Sequence, residues 1–479
     1  MAHYDMLVIG TGPAGQKAAI QAAKLGNKVA IIERKQVVGG VSINTGTIPS
    51  KSLREAVLYL SGFHQRNLYG AAYRVKQDIT MEDLLFRTNY VVNEEVQIIQ
   101  HQMARNHVDL IYGTATFQGP HGLAICRDRE VIEHTADYIV IAVGTKPSRP
   151  AEVPFDGQTV IDTDELLKLK SLPTSMIIVG GGVIGSEYAS ILATIGIKVT
   201  LIDRRPALLE FADREIVEAL QRQMGEIGVT VILGEEVQSI ETSNALSDVR
   251  ITLSGGRIIT APLLMYSAGR IGATESLELD KVGIKPDARG RLRVNEHYQT
   301  AIPYIYAVGD IIGFPALAST SMHQGRLAAC HAFGLPTEDE TFLLPFGIYS
   351  IPEISMVGHS ENELNRDGIP YETGIARYRE IARGKLIGDD TGMLKLIFHR
   401  TTRRLLGVHA IGEGATELIH IGQAVMAYRG KIDYFVEHVF NYPTLAECYM
   451  VAALAGLNRL PRPWQPQGPV DEPPPRPPI

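Results

Sequence analysis
Residues 4–34 read YDMLVIGTGPAGQKAAIQAAKLGNKVAIIER, and residues 175–204 read SMIIVGGGVIGSEYASILATIGIKVTLIDR. The two stretches are one pattern written twice: an apolar strand, a glycine-rich turn, an alanine-containing helix, a second apolar strand and an acid. The glycines are Gly10, Gly12 and Gly15 in the first copy and Gly180, Gly182 and Gly185 in the second. The acids, Glu33 and Asp203, each stand 23 residues beyond the first glycine of their copy. Each element has a physical reason. The first glycine makes the tight turn, the second lets the backbone approach a pyrophosphate, and the third lets helix and strand pack closely. The helix N-terminus offers unpaired N–H groups and a positive dipole to the phosphates. The acid accepts hydrogen bonds from a ribose diol. A single such motif is weak evidence. Two copies in the same context, with equal spacing, imply an α/β chain that binds two dinucleotides.

A second pair of signals separates the two sites. Residues 138–147 read YIVIAVGTKP, an apolar strand running to Gly144 and Thr145; residues 304–310 read YIYAVGD, a strand running to Gly309 and Asp310. A carboxylate placed after a buried strand and a glycine can hold the hydroxyls of a flavin dinucleotide. Taken alone, Asp310 reads more readily as a turn or cap aspartate.

Bulk properties narrow the class. A chain of 479 residues suggests roughly three domains. The net charge of −7 argues against a nucleic-acid partner. No run of 18 or more apolar residues exists, so no membrane span is expected. MAHYDMLVIG enters a strand with no basic leader, so no signal peptide is expected and a cytoplasmic location is. The three cysteines, Cys126, Cys330 and Cys448, form no close pair. That excludes a disulfide framework and a cysteine zinc site, and no metal is expected.

The motifs GTGPAG, GGVSINTGTIPSK, AVGTKP, GGGVIGSE, SAGR, YAVGD and FNYPTLAE follow one another between about residues 4 and 460. In this order they resemble the flavoprotein pyridine-nucleotide:disulfide oxidoreductases, the family of dihydrolipoamide dehydrogenase and glutathione reductase. The resemblance implies an α/β fold with two Rossmann-like dinucleotide-binding domains, one for FAD and one for NAD(P), plus an α+β interface domain that mediates dimerisation. It implies an FAD domain at 1–149 and 271–341, an NAD(P) domain at 150–270 and an interface domain at 342–460. Within the last, FGIYSIPEISMVG reads as a strand and turn, and RRLLGVHAIGEGATELIHIGQAVMAYR as a strand followed by a helix. The tail 461–479 is Pro-rich, contains Trp464, and is expected to be disordered.

The same resemblance implies site residues. FAD falls to Gly10, Gly12, Gly15, Glu33 and Arg34 around the first turn. It also falls to Gly40, Ser42, Thr47 and Lys51 in the GGVSINTGTIPSK loop, and to Ala115, Gly144, Asp310 and Ala318 elsewhere. NAD(P) falls to Gly180, Gly182, Gly185 and Glu187, to Asp203, Arg204 and Arg205, and to Gly269. Lys51 and Glu187 are implied to be catalytic, with the Lys51 ammonium beside the reactive edge of the flavin and Glu187 as its partner near the nicotinamide. A cation there stabilises negative charge on the reduced flavin.

The chain departs from the disulfide enzymes twice. Their redox-active cysteines correspond to Ser42 and Thr47, and their catalytic histidine, in a motif like HxHPTxxE, corresponds to Tyr442. Phe440 fills the other histidine position, Glu447 remains, and His438 lies four residues too early. Hydroxyls of high pKa neither form nor attack a disulfide, and a phenol shuttles protons poorly at neutral pH. Ser42 and Thr47 are therefore expected to pack and hydrogen-bond against the flavin.

Asp203 favours NAD(H), whereas Arg204 and Arg205 suit the 2′-phosphate of NADP(H) or are simply surface arginines. A site that accepts both nucleotides, with no thiol relay, fits the soluble transhydrogenase branch of the family, in which GTIPSK and FNYPT replace the disulfide motifs. The resemblance then implies ping-pong hydride transfer from NADPH through FAD to NAD⁺ in a homodimer or larger homo-oligomer. Two alternatives stay open: an NAD(P)H oxidase or diaphorase, and a catalytically silent FAD-binding interaction protein.

Overall fold
The computed structural model describes residues 1–70, 72–243, 248–336 and 343–461. The Pro-rich tail and its Trp464 lie outside the described residues. The described chain forms two compact units. The first holds residues 1–210, 221–336 and 349–351; the second holds 211–220, 343–348 and 352–461.

The first unit contains two open sheets of the kind the repeated motif predicts. In one, strands Asp109–Tyr112, Val29–Glu33, Ala2–Ile9 and Glu130–Ile141 lie side by side in parallel, and Ile305–Ala307 pairs in parallel with Glu130–Ile141. Two further strands, Gly122–Arg127 and Thr114–Gly119, extend it antiparallel. Every residue of Val29–Glu33 is buried, as a parallel strand covered on both faces requires. The other sheet is wholly parallel, in the order Val229–Leu233, Lys198–Asp203, Ser175–Val179, Leu264–Tyr266 and Val160–Asp162. The two motif helices, Pro13–Lys24 and Val183–Thr194, each follow the first strand of their copy. Crossover connections of this kind leave the glycine turns at the carboxyl ends of the strands, where open α/β sheets bind ligands.

The second unit is built on a five-stranded antiparallel sheet. Its order is Phe346–Ile348, Ile354–Gly358, Leu405–Ile411, Met393–His399 and Tyr371–Arg377. Helices Ala415–Ala427 and Glu447–Leu457 cover it, burying Leu418, Ile419, Tyr449 and Ala452 against Val408 and Phe398. LLGVHAI followed by a helix appears as the sequence predicts. FGIYSIPEISMVG forms more than the expected strand and turn: two strands, 346–348 and 354–358, pair antiparallel and residues 349–353 connect them. The N–H groups of Tyr349 and Ile351, within this connection, donate to Glu187 and to the Ser190 hydroxyl.

Candidate active site
The first strand ends at Ile9, and Gly10 turns the chain with φ 106°. A Cβ on Gly10 would lie 2.4 Å from the Ala142 carbonyl oxygen, and one on Gly15 would lie 1.9 Å from the Gly10 oxygen. Both positions therefore exclude any side chain. Gly12 differs: it is the N-cap of helix Pro13–Lys24, with Pro13 opening the helix, and nothing lies within 4 Å of where its Cβ would stand. Space of that kind at a helix N-terminus is a cradle for a phosphate. Glu33 is buried at the end of the second strand and accepts from the Thr11 N–H and hydroxyl and from the Lys35 N–H.

Around this turn runs a cleft whose wall includes Gly10, Gly12, Glu33, Arg34, Gly40, Ser42, Thr47, Ala115, Gly144, Asp310 and Ala318. Of the residues assigned to FAD, only Gly15 and Lys51 are off that wall; Gly15 packs against Gly10 instead. Asp310 is a partly buried acid on this wall. Burial pushes the Asp310 carboxyl up from its ordinary value, and its partners there, the hydroxyls of Thr145 and Ser321, stand at 3.5 and 3.4 Å. A carboxylate so placed can accept further hydrogen bonds from a ligand's hydroxyls.

The second copy repeats the geometry. Gly180 has φ 110°, and a Cβ on Gly185 would lie 1.9 Å from the Gly180 oxygen. Gly180, Gly182, Asp203, Arg204, Arg205 and Gly269 line a second cleft together with Glu152, Glu235, Glu236 and Tyr266. Gly185 and Glu187 are not on its wall. Asp203 is buried. Burial acts to raise its pKa, but the hydrogen bonds from Arg205 and from the Gly181 N–H outweigh that and hold it below the ordinary value.

Lys51 and Glu187 come together although 136 residues separate them. The ammonium lies 2.8 Å from both carboxylate oxygens, with the Glu187 side chain only 4 % exposed. The helix Thr47–Ser61 carries Lys51, and the first turns of Val183–Thr194 carry Glu187. Two features of this pair escape the sequence reading. The Tyr349 N–H donates to Glu187 at 2.8 Å, and the Lys51 ammonium sits 4.9 Å from the centre of the Tyr349 ring. Tyr349 carries no motif that would single it out. Thr11 was also missed, although its place inside the first glycine turn is the signal that could have found it.

At the other departure, Tyr442 is exposed, and Oε2 of Glu447 is buried without a hydrogen-bond partner among the described residues. His438 bonds to the Tyr434 carbonyl and stacks on the Tyr434 ring. No cysteine lines either cleft among the described residues; Cys126 is exposed, and Cys330 and Cys448 are buried and free.

Two phosphate-binding turns, each paired with an acid-tipped strand, define a protein that handles two dinucleotides. The chain belongs to the pyridine nucleotide-disulphide oxidoreductase family. The model of that name matches residues 4–325, and the model of the family's dimerisation domain matches residues 344–453. A relative from Mycobacterium bovis named soluble pyridine nucleotide transhydrogenase is 54% identical over 462 residues, covering 96% of this chain and 98% of the relative. One of the same name from Salmonella paratyphi C is 44% identical, covering 95% and 98%. Among solved structures, the Cu(II) complex of the HOCl-induced flavoprotein disulfide reductase RclA from Escherichia coli superposes with a TM-score of 0.85 at 28% identity, covering 95% of this chain and 99% of that one. LpdA from Mycobacterium tuberculosis superposes at 0.86 with 24% identity and shares the fold. Among the described residues, no helix is long and apolar enough to cross a membrane.

Proposed function
We propose that this chain is an FAD-dependent transhydrogenase that moves hydride between NADP(H) and NAD(H). The observation that carries this reading is the Lys51–Glu187 pair, intact in a chain with no cysteine on either cleft wall among the described residues. Close relatives named soluble pyridine nucleotide transhydrogenase support it. Bound FAD supplies the chemistry of accepting and returning a hydride. Gly12 and the N-terminus of Pro13–Lys24 hold its pyrophosphate, Glu33 takes its ribose and Asp310 its ribityl hydroxyls. Ser42 and Thr47 pack against its ring. Lys51 holds a fixed positive charge where negative charge develops, and Glu187 fixes the ammonium there, itself fixed by the Tyr349 N–H. Asp203, Arg204 and Arg205 select the nicotinamide dinucleotide.

The domain plan we propose is an FAD domain at 1–149 and 271–341, an NAD(P) domain at 150–270 and an interface domain at 342–460, acting as a homodimer. We place the enzyme in the cytoplasm, whose reducing conditions suit its free cysteines. The test is a steady-state assay with NADPH and thio-NAD⁺, with no dithiol added. Equal amounts of NADPH consumed and thio-NADH formed are expected. NADPH oxidation matched by oxygen uptake, with no thio-NADH, overturns the reading.

A further inference from the structure
The sequence treats Arg204 and Arg205 as equivalent neighbours of Asp203; the structure gives them different positions. Arg205 closes a planar fork on Asp203, with Nε 2.9 Å from Oδ1 and Nη2 2.6 Å from Oδ2. The same two oxygens accept from the Arg205 N–H at 2.8 Å and the Gly181 N–H at 2.5 Å. A carboxylate offers about four lone-pair sites, and here all four are taken. A ribose diol arriving at Asp203 finds no acceptor. Two of the four donors are backbone N–H groups, of Gly181 and Arg205, fixed by the fold. The other two belong to one side chain that is 37% exposed. Only the Arg205 fork can open the site.

Arg204 is exposed and lines the same cleft, and it makes no hydrogen bond or ion pair among the described residues. The remaining cleft charges are the carboxylates of Glu152, Glu235 and Glu236, of which Glu235 is occupied by Ser254 and the Gly255 N–H. A 2′-phosphate entering here meets these carboxylates together with Asp203. It is tolerated only if Asp203 is neutralised and a guanidinium is left over.

From this geometry we infer that Arg205 is a reversible mask on Asp203, closed when NADP(H) is bound and swung away when NAD(H) is bound, while Arg204 is the phosphate ligand. The inference rests on the proposed exchange between the two nucleotides and names the device by which one cleft serves both. With the mask closed, the Asp203 charge is cancelled, and Arg204 and the Arg205 amino group outside the fork face the phosphate. With the mask open, Asp203 accepts the ribose hydroxyls. NAD(H) therefore binds with the added cost of breaking the fork, which sets the balance of affinities between the two nucleotides.

Calorimetric titration of the FAD-loaded protein with NAD⁺ and with NADP⁺ separates this from two plain phosphate-binding arginines. R205A is expected to tighten NAD⁺ several-fold and to weaken NADP⁺ by about tenfold or more, because the bare carboxylate repels the phosphate. R204A is expected to weaken NADP⁺ without tightening NAD⁺. R205K keeps the charge but loses the planar fork, and its gain in NAD⁺ affinity is expected to be smaller than that of R205A. Retention of the flavin spectrum in each variant reports folding. NAD⁺ affinity that is unchanged or weaker in folded R205A overturns the mask, even if wild type binds and exchanges both nucleotides. Wild type that binds NAD⁺ and not NADP⁺ overturns both the mask and the exchange reading.

Discussion
At the scale of single residues, the site depends on charges placed by distant parts of the chain. Lys51 faces a carboxylate that is almost wholly buried, so removing the lysine both strips a cation from the proposed hydride-transfer site and leaves Glu187 without its counter-charge. K51A is expected to slow flavin reduction by NADPH by about 10²-fold, the scale seen when one preorganised electrostatic donor is lost; stopped-flow absorbance measures it. Cysteine chemistry gives a second expectation. Cys126 is exposed, whereas burial pushes the Cys448 thiol up to about 12. Titration of the native protein with a chromogenic disulfide should release one equivalent quickly, and denaturant should expose two more. The turn glycines and acids were legible in the sequence because each meets a local steric or hydrogen-bonding demand within one strand–turn–helix unit. Tyr349 was not, because its contact with Glu187 spans 162 residues and leaves no periodic trace. The different positions of Arg204 and Arg205 were not legible either, since side-chain direction decides them.

At the scale of elements, the helix–strand crossing at each glycine turn has no slack. A Cβ on Gly185 would meet the Gly180 oxygen at 1.9 Å, with the Ser267 hydroxyl 2.9 Å away. G185A should therefore force the helix Val183–Thr194 off its strand, lower the melting temperature and abolish NADP⁺ binding by calorimetry. The second unit depends on an ion cluster that no motif announces. Lys395, on strand Met393–His399, is 1% exposed and lies 3.0–3.1 Å from Asp213, with Glu215 at 3.1 Å and Glu361 also in contact. Burial alone would lower its pKa, but Asp213 and Glu361 outweigh burial and raise it. K395M leaves Asp213 buried without its cation. About 3–5 kcal/mol of stability should be lost, read from denaturant unfolding, and the K395M/D213L double variant should recover part of it. In MLKLIFH the lysine reads as the one solvent-facing position of a strand. The acids that hold it come from 34 and 182 residues away, so the strand's own pattern gives no sign of them.

At the scale of the whole molecule, the repeated motif announced two strand–turn–helix units on open sheets, and both are present with a cleft at each turn, because each copy carries its own strand pairing, turn and acid. The partners of the Tyr349–Ile351 connection were less legible: its N–H groups donate to Glu187 and Ser190, and pattern carries no information about such distant partners. The absence of paired thiols has a consequence for the full protein. Reductive titration should consume about two electrons per FAD, where a flavin coupled to a redox disulfide takes two more. The most direct test of hydride exchange is sequential mixing without oxygen. The holoenzyme is first bleached with one equivalent of NADPH and then mixed with NAD⁺ while flavin absorbance and NADH are followed. Full return of the oxidised flavin spectrum, with one NADH per FAD and a rate at least equal to steady-state turnover, is the predicted result. A flavin that stays reduced in excess NAD⁺ would contradict the account.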